Sequence, residues 1–146
     1  MHRPTARFSL PAALFAVLTL TALLGLAAAP ALAAGASSDE SELADGKAHF
    51  YSAKIDGVTV KYFLVKTPDG VVRAAFNACD VCYPEKKGYA QDGGFMVCAN
   101  CGQKFPLAKV GLIKGGCNPA PLAHAEENGK VVIGEDALRQ GLQFFK

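Results

Sequence analysis

Five cysteines constrain this chain more than any other feature. Cys79/Cys82 and Cys98/Cys101 form two C-x-x-C pairs fifteen residues apart, and Cys117 follows Cys101 after fifteen more. Two intervening residues let both thiolates of a pair turn toward one tetrahedral site. A second pair across a hairpin-sized gap completes four sulfur ligands. This spacing suits a zinc ribbon and an iron–sulfur centre alike. Two structural disulfides are the plain alternative in an exported chain, but disulfide frameworks seldom repeat so regularly. A thiol–disulfide protein would call for a thioredoxin-like βαβ pattern, and none is visible.

Export itself is read from the N-terminus. Residues 1–33 are expected to be a signal peptide: Arg3 and Arg7 precede an almost uncharged run from Phe8 to Ala34, and Ala31-Leu32-Ala33 places small residues for cleavage after Ala33. The alternative is an uncleaved N-terminal anchor, because the apolar run is long enough to span a bilayer. No cysteine follows the run to take a lipid, and three residues separate Arg3 from Arg7, so no twin-arginine signal is present. The expected location is therefore the periplasm or another exported compartment, or else the inner membrane by way of the anchor. Without the first 33 of its 146 residues the chain keeps 113, enough for one domain. Loss of Arg3 and Arg7 leaves 13 basic side chains against 13 acidic ones. A neutral balance argues against nucleic acid or an anionic bilayer surface as partner.

The patterning beyond the signal is β. Residues 34–47, with Asp39, Glu40, Glu42 and Asp45, are expected to form an acidic, flexible leader to a domain over 48–146. Ala48 to Ile55, an Asp56-Gly57 turn, Val58 to Thr67, a Pro68-Asp69-Gly70 turn and Val71 to Phe76 read as three successive strands. The first cysteine pair follows at a strand end. A turn at Gln91-Asp92-Gly93-Gly94 and a strand at Phe95 to Val97 lead to the second pair, so both lie on loops of neighbouring hairpins. A last hairpin turns at Glu127-Asn128-Gly129-Lys130, and Glu135 to Phe144 reads as a short helix with Leu138 and Leu142 turned inward. The fold class is mainly β: a small antiparallel domain with two metal-binding loops and a short C-terminal helix.

The run NACDVCYPEKKGYAQDGGFMVCANCGQKFPL, followed by GGCNPAPL, closely resembles the FtrD-like iron–sulfur family over about residues 48 to 134. Those domains are often fused to a multi-span membrane portion and linked with bacterial iron uptake. This chain lacks that portion and would be a stand-alone exported version. A more distant resemblance is to Rieske domains. Cys79/Cys82 and Cys98/Cys101 occupy the two ligand loops, Gly102 and Phe105 follow, and Asn118-Pro119-Ala120-Pro121-Leu122 looks like the loop that covers the cluster. Cysteines stand where a Rieske domain has its two histidines.

The resemblance implies an iron–sulfur centre, the 2Fe–2S form favoured, on Cys79, Cys82, Cys98 and Cys101, with Zn²⁺ as the alternative metal. Export favours zinc, since a chain threaded unfolded must find its metal outside the cytoplasm. Family likeness favours the cluster. Two extra thiolate charges would make such a centre harder to reduce. Rieske centres lie at about −150 to +300 mV and four-cysteine plant-type ones near −400 mV. Lys86, Lys87, Lys104 and Lys114 flank the loops and can offset part of that charge. Cys117 is expected near the metal but outside the four main ligands, and His124 is an accessory candidate lining the same end. The expected work is one-electron transfer between protein partners, including a membrane iron-uptake complex, with no substrate pocket of its own. A zinc-binding module for protein contact or metal handling is the competing class.

Overall fold

A computed structural model describes residues 35–146. The expected signal peptide or anchor lies outside the described residues. Among the described residues nine short strands run in chain order: β1 (Ala36–Asp39), β2 (His49–Ile55), β3 (Val58–Lys66), β4 (Val72–Phe76), β5 (Tyr89–Asp92), β6 (Phe95–Cys98), β7 (Lys104–Pro106), β8 (Ala125–Glu127) and β9 (Lys130–Ile133). A single α-helical turn and a half, α1 (Glu135–Arg139), and a 3₁₀ turn at Leu142–Phe144 close the domain. The strands pair antiparallel in three small sheets, ordered β1-β9-β8, β2-β3-β4 and β5-β6-β7. Among the described residues no helix is long and apolar enough to cross a membrane.

Strand β3 organises the interior. Its second half, Tyr62-Phe63-Leu64-Val65, is buried on both faces. The even face (Val60, Tyr62, Leu64) joins Phe76, Leu122, Val131 and Leu138 in one core. The odd face (Phe63, Val65) packs with Cys79, Tyr89, Met96, Cys98 and Phe105 in another. A strand whose apolar run stops alternating is one covered on both sides. The second core carries the first cysteine of each pair, so packing behind β3 and placement of the thiols are one problem.

The acidic leader corrects the sequence expectation. Ala36–Asp39 pairs with β9, Ser37 opposite Val132, and Glu40–Asp45 forms a 3₁₀ turn. Leu43 is fully buried in the first core. Burying one leucine is worth about 1.5–3 kcal/mol, and the four-residue ladder to β9 adds to it. Its charges are met at the surface: Glu40 by Lys66 at 2.7 Å and Asp39 by Lys130 at 2.8 Å. The expected C-terminal helix to Phe144 is also shorter, ending at Arg139 and resuming as the 3₁₀ turn. Gly141 sits at the break, where a Cβ would fall 2.2 Å from the Phe76 ring.

Candidate metal centre

Each C-x-x-C pair sits in a turn after a strand of a different sheet. Cys79 stands three residues past the end of β4, and Cys98 is the last residue of β6. Both turns are built alike. In each, the main-chain amides two and three residues on favour the thiolate of the first cysteine: Val81 and Cys82 for Cys79, Asn100 and Cys101 for Cys98. The Cys82 N–H donates to Cys79 Sγ at 3.1 Å. Cys79 and Cys98 are buried, Cys82 is half-buried and Cys101 exposed, so an inner and an outer sulfur come from each loop. Gly102 lets the second turn close: its φ of 75° is left-handed, and its N–H donates to the Cys98 carbonyl at 2.9 Å.

The five thiols converge. The sulfurs of Cys79, Cys82 and Cys117 lie within 4.8 Å of one another, as do those of Cys82, Cys98 and Cys101. Cys82 belongs to both groups and stands 3.8 Å from Cys117. Cys117 therefore lies beside the paired cysteines. His124 joins neither group; its Nδ1 faces the Leu122 carbonyl at 3.4 Å. A pocket of soft thiol donors with main-chain amides aimed at the sulfurs fits zinc or iron–sulfur chemistry in its donor set.

The thiols differ in acidity. Burial pushes Cys79 up, but the amide of Cys82 and the Tyr89 hydroxyl bring it below the ordinary thiol range. The Gln103 amide lowers Cys101. Burial raises Cys98 to about 11, and burial beside Cys101 and Cys82 raises Cys117 to about 12. Metal binding at Cys98 therefore has a proton to displace at neutral pH, and acid opposes it.

Two residues that the spacing did not single out hold the loops together. Asn77, at the end of β4, accepts the Tyr89 N–H on its Oδ1 at 2.7 Å, while its own N–H donates to the Lys61 carbonyl. Gly88 makes room for this, because a Cβ there would lie 2.5 Å from Asn77 Oδ1. Tyr89 is buried against Phe63 and Phe105, and its hydroxyl donates to the Cys117 carbonyl at 2.6 Å. One side chain thus ties the first strand after the Cys79 loop to the loop bearing Cys117. Sequence reading passed over Asn77, because a lone Asn at a strand end gave no signal. Tyr89→Phe should keep the ring packing and cost roughly 10–100-fold in metal affinity, the usual loss when an outer-shell partner is removed. Competition with a chelator would measure it.

The flanking lysines are partly committed. Lys104 pairs with Asp92 at 2.7 Å, and Lys87 donates to the Asn100 side-chain oxygen at 3.0 Å. A cavity of about 570 Å³ opens beside Cys79, Cys82 and Cys98.

A small antiparallel β domain that gathers five thiols at one end is built as a cysteine-based metal-site protein. The family model described as membrane iron-sulfur containing protein FtrD-like matches residues 43–145, and the chain belongs to this family. No curated protein matches the sequence. Among solved structures, the chain is similar to the quaternary ammonium Rieske monooxygenase CntA in complex with an inhibitor. Identity is 23% over 68% of this chain and 30% of that one, with a TM-score of 0.46. A second quaternary ammonium Rieske monooxygenase structure gives 23% identity, the same coverages and a TM-score of 0.44. The chain spans less than a third of the length of those enzymes.

Proposed function

We propose that this protein is an exported one-electron carrier whose iron–sulfur centre, of the two-iron type, is held by Cys79, Cys82, Cys98 and Cys101. The observation that carries the reading is the arrangement of the pairs: each loop gives one buried and one outer sulfur to two overlapping groups of thiols that share Cys82. Membership of an iron–sulfur family supports the choice of metal. Bound there, the cluster supplies a reversible one-electron couple. The chain's own groups do the rest. Cys79 and Cys98 anchor the inner side within the second core, out of water. Their amide neighbours stabilise negative charge on sulfur. Cys101 reaches the surface, and its end of the thiol cluster is the one a redox partner would meet. The periplasm is the proposed compartment and bacterial iron uptake the proposed setting.

The test is anaerobic purification with visible absorption and iron, zinc and acid-labile sulfide analysis. A brown protein with about two irons and two sulfides per chain is expected. A colourless protein with about one zinc would overturn the electron-transfer reading in favour of a structural or metal-handling module.

A further inference from the structure

We propose that the cavity beside the sulfurs is a binding site for an anionic aromatic small molecule of about naphthalene size. Its volume, about 570 Å³, falls within the range of small-molecule sites. It is lined by Cys79, Cys82 and Cys98 but by neither Cys101 nor Cys117, so it leads away from the exposed end of the thiol cluster.

The charge of its wall is one-sided. Lys61, Lys86 and Lys87 line it, and no aspartate or glutamate does. Lys86 is held by the main-chain oxygen of Lys146 and Lys87 by the amide oxygen of Asn100. The Lys61 ammonium has no hydrogen-bond or ion-pair partner among the described residues. Asp56, next to the lining residue Gly57, is already engaged by Arg139. Cationic groups at the rim of a partly closed hollow concentrate anions.

The rest of the wall is aromatic. Tyr83, Phe144 and Phe145 line it, and each packs by its edge or tilted: Tyr83 on Phe144 at 5.7 Å and 67°, Phe144 on Phe145 at 6.4 Å and 86°. Tyr83 remains 36% exposed. A flat ring can therefore stack or sit edge-on against these side chains while its acid group meets Lys61 or Lys87. An inorganic anion would leave the aromatic wall unused, and a neutral ring would leave the lysines unused.

Binding there needs no metal at the sulfurs, so it stands or falls apart from the proposed redox role. The experiment is calorimetric titration of the purified protein, its iron and sulfide content measured on the same sample, with naphthalene-2-sulfonate and with neutral 2-naphthol. Saturable one-to-one binding of the sulfonate is expected, with 2-naphthol about tenfold weaker or worse. Lys61→Glu and Lys87→Glu should each weaken the sulfonate about tenfold, as for loss of a charge-assisted contact. Both are surface changes that should leave the fold intact by circular dichroism. No saturation by about 1 mM, equal affinity for the neutral ring, or unchanged binding in both lysine variants would overturn the proposal.

Discussion

Cys98→Ser is expected to empty the metal centre, while Cys117→Ser leaves its metal in place. Cys98 lies in the second core, where its sulfur is shut away from water. A serine hydroxyl there is a hard, far less acidic donor that a soft metal site does not accept in place of thiolate. Bound metal should fall by more than the roughly 10–100-fold that an outer-shell change costs. Cys79→Ser should behave alike, being the matching inner position. Cys117 is 3.8 Å from Cys82 yet sits on the loop of Lys114-Gly115-Gly116, outside both pairs. Its serine variant should keep metal within about twofold of the parent, well below 1 kcal/mol. Metal and sulfide analysis of the three variants decides. Loss of metal in Cys117→Ser would make Cys117 a main ligand, and retention in Cys98→Ser would break the four-cysteine assignment.

Phe63→Ala should be the most damaging change outside the thiols. Phe63 is fully buried on the odd face of β3, with Phe50 at 5.6 Å and Tyr89 at 6.4 Å between ring centres. Truncating a buried phenylalanine costs about 3–5 kcal/mol, because the space it leaves is only partly refilled. A domain of this size has roughly 5–15 kcal/mol in all. A fall in Tm of more than about 10 °C is expected in a thermal melt. The loss should also reach the metal centre, since Tyr89 rests on Phe63 and its hydroxyl holds the Cys117 carbonyl. Phe63→Leu keeps most of the volume and should recover much of both. A melt unchanged in Phe63→Ala would contradict the role given to the second core.

These two expectations draw on different parts of the sequence. The thiol positions were legible at once, because C-x-x-C spacing is dictated by ligand geometry and survives whatever surrounds it. The β2-β3-β4 meander was legible too, through Asp56-Gly57 and Pro68-Asp69-Gly70, whose turn chemistry is local. The double burial of β3 was not read, although Tyr62-Phe63-Leu64-Val65 breaks the alternation expected of a one-faced strand. Strand β1 was missed because Ala36-Ser37-Ser38-Asp39 carries no apolar signal; it is a strand only because β9 offers an edge. Strand β7 was missed because Lys104-Phe105-Pro106 is three residues long and its proline suggests a loop, yet Phe105 fills the second core. The ties through Asn77 and Tyr89 join residues far apart in the chain, and no local pattern could announce them.

The pairing of β1 with β9 bears on the order in which the domain forms. Ser37 lies opposite Val132, whereas the partners in the other two sheets are close neighbours along the chain. Bringing such distant ends together carries a loop-closure cost of about 4 kcal/mol, while each hairpin closes over a few residues. Hairpins form in microseconds, and contacts of long sequence separation follow more slowly. The cysteine-bearing segments lie between the two ends, so their hairpins can take shape while the β1 side is still open. A chain that emerges unfolded would thus present its thiols to incoming metal before Leu43 seals the first core.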